Sequence, residues 1–190
     1  MIDALAEGGK ITPYLNLPIQ SGDDKVLKSM NRRYTVESYK NKIKELRKKI
    51  PGICLSTDII IGFPGETKKQ FENTLELFRN IKYDMAYINK YSTRAGTAAA
   101  RLKDNVSVDE KKRREKALNE ILKQTALENN KKYLNEIVEV LFDSKKSNRL
   151  FGRTKEYKII EFKSNKNLIG KFVKVKITDI TPWKLIGKIN

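Results

Sequence analysis

The sequence predicts an α/β chain in two parts: three parallel strands with helices outside them, followed by a small antiparallel β-barrel. Three observations carry this. Strand-like and helix-like patterns alternate through residues 12–91. The apolar period changes from 3.6 to 2 residues near Lys132. Five short period-2 runs then follow, at 137–142, 149–153, 157–162, 172–180 and 184–189, with turn residues at 143–148, 164–167 and 181–182 between them. Five short strands in so little chain are the pattern of an OB-like barrel.

Taken in order, residues 2–6 read as the end of a helix closed by Gly8-Gly9. A strand at 12–18 ends at Pro18, and Ser21 with Asp24 is placed to cap a helix at 25–31. Tyr39, Ile43, Leu46 and Ile50 recur at helical spacing within 35–50, where Pro51-Gly52 stops the helix. The centre of this half is the stretch 57–67. Ile59-Ile60-Ile61 reads as a buried strand, Gly62 to Gly65 as a tight turn, and Thr67 with Gln70 as a capping box opening a helix at 69–81. Such a turn lies at the carboxyl end of a parallel strand, where α/β proteins bind ligands. A third strand is expected at 85–91. Ser107 with Glu110 then opens a long charged helix with Ala117, Leu118, Ile121, Leu122, Ala126 and Leu127 inward.

With 40 Lys and Arg against 23 Asp and Glu, the net charge is +17. That balance points to a polyanionic partner, nucleic acid before membrane. No apolar run approaches the ~20 residues that span a bilayer. There is no histidine and a single cysteine, Cys54. A disulfide, a local Cys-rich metal site and a histidine general base are therefore excluded within this chain. Three parallel strands leave an open, apolar edge. With the helix-end start, this leads us to expect residues 1–105 to be the second half of a larger α/β barrel, 106–132 a connecting helix, and 133–190 the small barrel.

Several motifs occur in order: Leu17-Pro18-Ile19-Gln20-Ser21-Gly22, Met30-Asn31-Arg32-Arg33-Tyr34-Thr35, Ser56-Thr57-Asp58, Gly62-Phe63-Pro64-Gly65-Glu66-Thr67, and Tyr91-Ser92 with Arg94 and Gly96-Thr97. The series resembles the radical S-adenosylmethionine (SAM) methylthiotransferases, most closely the tRNA-modifying MiaB type. Residues from Lys132 onward resemble their TRAM domain, an RNA-binding barrel, in Gly152-Arg153-Thr154 and in Ile169-Gly170-Lys171 through Ile177-Thr178-Asp179. Asn16, Asp23, Ala95 and Ala98 depart from the family pattern.

The resemblance implies a chain corresponding to the C-terminal half of a radical SAM barrel plus TRAM. Two [4Fe-4S] clusters would be held by preceding domains in cis, since their cysteines are absent here. The piece alone is then expected to be inactive, cytoplasmic and without catalytic or metal-ligating residues of its own. Tyr83-Asp84 favours isopentenyladenosine over threonylcarbamoyladenosine as substrate, next to the anticodon. The alternative is a non-catalytic RNA-binding protein. As cofactor contacts the resemblance implies Gln20, Ser21, Asp58, Gly62, Phe63, Glu66, Tyr91 and Arg94, with Gly65 to Thr67 offering helix N–H groups. Glu66 has the competing role of favouring the helix N-terminus. From Lys132 onward basic residues outnumber acidic ones by eight. The candidates for contacting the anticodon stem-loop are Arg149, Arg153, Lys155, Lys174, Lys184 and Trp183, the last either stacking on a base or plugging the barrel.

Overall fold

The computed structural model describes residues 2–189. Met1 and Asn190, the outer ends of the segments expected at 1–105 and 133–190, lie outside the described residues. The first part runs α1 (Ile2–Ala6), β1 (Tyr14–Asn16), α2 (Asp24–Ser29), α3 (Val36–Lys49), β2 (Cys54–Ile61), α4 (Lys68–Ile81) and β3 (Met85–Lys90). A long helix, α5 (Val108–Asn130), leads to β4 (Ile137–Lys146), β5 (Arg149–Thr154), β6 (Ile159–Lys163), β7 (Phe172–Ile180) and β8 (Leu185–Lys188).

Strands β1, β2 and β3 form one parallel sheet in that order, with Tyr14 level with Cys54 and Ser56 level with Met85. Alternation splits β2 into two faces. Leu55, Ile59 and Ile61 pack in a core with Tyr39, Ile43 and Leu46 of α3, Phe71, Leu77 and Phe78 of α4, and Leu118 and Leu122 of α5. Each such side chain contributes about 1.5–3 kcal/mol on burial. Cys54, Ser56, Asp58 and Ile60 point to the other face, which carries no helix of this core.

Polar side chains fix the helix starts. Thr35 with Ser38 and Thr67 with Gln70 form reciprocal capping boxes. Helix α2 corrects the expectation of a Ser21 and Asp24 cap. Asp23, in extended backbone, accepts the N–H groups of Lys25 and Val26, while Asp24 accepts the N–H of Val36 at 2.7 Å. Asp23 also accepts from Gln70 and Asn73 of α4, at 3.1 and 2.8 Å. Asp23 therefore ties the first βα turn to α4. Gly22 sits in the same joint: a Cβ there would meet the Thr74 Cα at 2.5 Å. Gly22→Ala is expected to destabilise the fold by about 1–3 kcal/mol through overpacking, measured as a lower urea midpoint.

The second part is a closed barrel in the order β4-β5-β6-β8-β7, around Val140, Phe142, Leu150, Ile160, Val175, Ile177 and Leu185. One seam is parallel, β6 with β8, in an otherwise antiparallel barrel. Strand β4 extends into the turn expected at 143–148, because a bulge between Phe142 and Ser144 keeps it paired with β5 until Ser147, at φ 57°, reverses the chain. Tyr157, expected in β6, instead sits at φ 66° in the turn before it.

Barrel and sheet are docked. Lys158 of the barrel meets Asp84 at 2.6 Å, with both side chains about nine-tenths buried. Tyr157 stacks on Tyr14, with ring centroids 4.9 Å apart. Asn130, at the end of α5, donates to the carbonyls of Thr181 and Pro182.

Candidate functional site

The helix-free face of the sheet is polar. Tyr14 Oη and Ser56 Oγ are 2.7 Å apart, Ser56 donates to Asn16 Oδ1 at 2.8 Å, and Asn16 Nδ2 donates to Asp58 Oδ2 at 3.0 Å. Asp58 is thus half-buried and partnered by Asn16. Gln20 bridges to β2 beside this row: it donates its N–H to the Asp58 carbonyl and accepts from the Ile60 N–H. Its φ of 71° is a left-handed conformation that a glutamine adopts at some strain. Ser21 is buried and accepts the Asp23 N–H.

The turn after β2 is locked internally. Gly62 donates to Glu66 Oε2 at 2.7 Å, Gly65 to Asn105 Oδ1 at 2.7 Å, Glu66 to the Phe63 carbonyl at 2.9 Å, and Thr67 to Gln70 Oε1 at 2.9 Å. The expectation that Gly65 to Thr67 offers free N–H groups is therefore corrected: each has a partner within the chain. The Glu66 carboxylate is equally committed. It is buried and held by Arg114 Nη1 at 2.7 Å, with Arg114 also donating to Glu110. Burial pushes its carboxyl above the usual glutamate value, opposed by the Gly62 amide and Arg114. Gly62 is covered as well: a Cβ on it would meet Lys111 Cγ at 2.5 Å. The Lys111 ammonium reaches Asp104 at 2.6 Å and the Tyr91 carbonyl at 3.3 Å. The sequence carried a signal for this lock. Continuing the Leu118 and Ile121 stripe of α5 back by helical steps lands on Arg114 and Lys111.

Above the carboxyl ends of β2 and β3 lies a cavity of about 500 Å³, lined among others by Phe63, Tyr91 and Arg94. These three of the eight expected cofactor residues are brought together. Phe63 is nearly buried and meets the Tyr91 ring edge-on, with centroids 5.3 Å apart. Tyr91 donates its hydroxyl to the Ala99 carbonyl at 3.1 Å, which orders the loop. Arg32 and Asn89 line the cavity too and were not singled out from the sequence. Arg32 lies within the quoted Met-Asn-Arg-Arg motif, and alternation in β3 puts Asn89 on the face of Tyr87.

In the barrel, Glu161 holds both Lys184 and Arg149, and its carboxyl is lowered first by the Lys184 hydrogen bond. Arg153 spreads over the Tyr157 ring at 4.3 Å and approaches Asp143 at 3.4 Å. Lys155 is exposed in the β5–β6 turn, and Lys174 is exposed on β7 opposite Glu139. Trp183 is 41% exposed. It lies outside the barrel core, so it does not plug the barrel. Arg153, Trp183 and Lys184 line a cleft of about 290 Å³ against the sheet, with Tyr14 and Tyr87 on its other side. Lys155, Lys174 and Arg149 are not among its lining residues.

Two family models match the chain: the radical SAM superfamily over residues 1–78 and the TRAM domain over residues 131–189. The first part of the chain is thus similar to the radical SAM superfamily and its last part to the TRAM domain. It is 43% identical to the tRNA-2-methylthio-N(6)-dimethylallyladenosine synthase of Bacillus cytotoxicus, and 42% identical to those of Bacillus cereus and Bacillus anthracis. Each match covers 100% of this chain and 38% of the relative, so the chain spans well under half the length of these curated proteins. The TRAM match coincides with the closed barrel, and the radical SAM match takes in the first two strands of the sheet. Among the described residues no helix is long and apolar enough to cross a membrane.

The donor set of this chain does not fit an iron–sulfur cluster. Its only cysteine, Cys54, is buried, and desolvation pushes the thiol up to about 12. A protonated, enclosed thiol is no iron ligand. The cavity at Phe63, Tyr91 and Arg94 is different in kind. It joins aromatic surface to a guanidinium, a donor set that suits a nucleoside bearing a carboxylate.

Proposed function

We propose that this chain is the C-terminal part of a tRNA-2-methylthio-N(6)-dimethylallyladenosine synthase. In this reading residues 1–105 supply half of the radical SAM barrel, 106–132 the connecting helix, and 133–190 the RNA-binding barrel. The observation that carries it is the 42–43% identity to such synthases along the whole chain. S-adenosylmethionine would lie in the cavity above β2 and β3, with Arg94 facing its carboxylate and Phe63 and Tyr91 its apolar surface. When bound with a cluster held by other domains in cis, it supplies the radical that opens the substrate C–H bond. This chain's own residues bind and orient. The role of Glu66 is to fix the turn beneath the cavity through Gly62, not to touch the cofactor. The partner is the tRNA anticodon stem-loop, and the setting is the cytoplasm.

Filter binding tests the RNA half of this reading. The chain is expected to prefer a stem-loop with adenosine next to the anticodon over one lacking it, with affinity falling as salt rises. Equal binding of both would favour the second reading, a general RNA-binding protein. Arg153→Ala is expected to weaken stem-loop binding and to lower the salt slope by about 1. An unchanged slope would remove Arg153 from the interface.

A further inference from the structure

The cavity above β2 and β3 carries more positive charge than S-adenosylmethionine can use. Arg32, Lys90 and Arg94 line it, and no Asp or Glu does. Lys90 is neutralised by Glu115 at 2.8 Å. Arg32 and Arg94 are exposed, and among the described residues neither forms an ion pair. In the β-barrel, by contrast, Glu161 holds Arg149 and Lys184, and Arg153 approaches Asp143. S-adenosylmethionine brings one carboxylate, but its ammonium and sulfonium make it a net cation. The carboxylate engages one guanidinium bidentately. The other guanidinium is left beside a cationic ligand, in a wall without an acid, until a second anion enters.

The fold sets the two arginines on different segments. Arg94 follows β3, while Arg32 lies between α2 and α3, in the stretch that follows β1. Strands β1 and β3 flank β2, and neighbouring strands are ~4.8 Å apart, so the two segments leave the sheet roughly 10 Å from one another. Ile60 and Phe63, from β2 and its turn, line the cavity between them. The Arg32 segment is tied down. Asn31 turns at φ 57°, the Arg32 N–H donates to the Leu27 carbonyl at 2.9 Å, and the Tyr34 hydroxyl donates to the Ile19 carbonyl at 3.3 Å. Burial raises the Tyr34 hydroxyl and the Arg32 charge opposes it, which places the guanidinium near that hydroxyl, toward the end of β1.

Resting on the reading of this chain as part of a tRNA methylthiotransferase, we propose that Arg32 binds a phosphodiester flanking the adenosine that enters this cavity, and that Arg94 is left to the cofactor carboxylate. A nucleotide brings its flanking phosphates to the rim of any cavity its base enters. An exposed guanidinium there, tied down at its backbone and clear of carboxylates, takes one of them by charge-assisted hydrogen bonds. The contact reads no base; it sets the register and depth at which the adenosine is held.

The probes are anticodon stem-loops with adenosine next to the anticodon: one all-phosphodiester, two with a single uncharged methylphosphonate linkage on one or the other side of that adenosine, and one with the same linkage in the stem. Arg32→Gln is expected to weaken binding of the all-phosphodiester stem-loop about tenfold, the loss of one charge-assisted contact. One of the two flanking neutral linkages is expected to cost the wild-type chain as much, and Arg32→Gln to cost nothing further on that RNA. With Arg94→Gln, the losses from the same linkage are expected to multiply independently. Independent losses for Arg32→Gln with both flanking linkages overturn the contact and leave RNA binding standing. Equal coupling of Arg32 to the stem linkage overturns its placement at the cavity. Coupling of a flanking linkage to Arg94 in place of Arg32 overturns the division between the two arginines. Failure of the wild-type chain to retain the all-phosphodiester stem-loop on filters overturns the contact and the RNA reading together.

Discussion

Replacing Arg114 by methionine is expected to lower folding stability by about 3–5 kcal/mol, the range for breaking a buried ion pair from one side. Arg114 is 2% exposed and its partner Glu66 1% at the side chain. The guanidinium also donates to the Glu66 carbonyl at 3.2 Å and to Glu110 at 2.9 Å. Its loss leaves the buried Glu66 carboxylate with the Gly62 N–H as its remaining donor among the described residues. The measurement is the urea midpoint of the transition followed by far-ultraviolet circular dichroism. The double variant Glu66→Gln, Arg114→Met removes both charges and is expected to recover a large part of the loss. A single-variant effect under about 1 kcal/mol would mean that the pair is solvated and does not fix the turn.

Acid acts on the same cluster in two directions. Glu110 is held down to about 2, first by its hydrogen bond from Arg113. Its folded value lies below the ordinary 4.5, so its contribution is present above pH 4.5 and fades as pH falls toward 2. Glu66 is raised by burial, so the folded state holds that proton more tightly and its contribution falls as pH rises through the interval above 4.5.

The lock explains where sequence reading succeeded and where it stopped. The strand at 54–61, the Thr67 cap and the period change after α5 are local, and local patterns gave them away. Phe63, Tyr91 and Arg94 were expected through the family resemblance; all three follow strand ends and line one cavity. The pairing of Glu66 was only half legible. The apolar stripe of α5, continued backwards, puts Arg114 on the inward face. Which residue Arg114 meets there, 48 residues away in the chain, depends on α5 crossing the turn, and no local window contains that. Gln20-Ser21-Gly22 taught the opposite lesson. A motif that suggested cofactor contact turns out to owe part of its composition to packing, since Gly22 has no room for a Cβ against Thr74.

Asp84 illustrates a substrate marker with a structural occupation. With Tyr83 it is the feature by which the family resemblance favours isopentenyladenosine. Tyr83 is fully buried against Tyr39, with hydroxyls 3.0 Å apart, and Asp84 joins the sheet to the barrel. The Asp84 carboxylate accepts from Leu55 N–H at 2.8 Å, Asn129 Nδ2 at 3.2 Å and Lys158 Nζ at 2.6 Å. Asp84→Ala removes the acceptor for all three and leaves the Lys158 ammonium buried and unpaired, so a loss of about 3–5 kcal/mol is expected. Lys158→Met is expected to be milder, because the carboxylate keeps two donors and the methionine fills the space of the lysine stem. The order of the two urea midpoints checks this; a Lys158→Met variant as unstable as Asp84→Ala would mean that the ion pair, not the backbone anchor, dominates. Trp183 lines the same seam, so its emission should shift toward that of exposed indole in Asp84→Ala before the barrel itself unfolds.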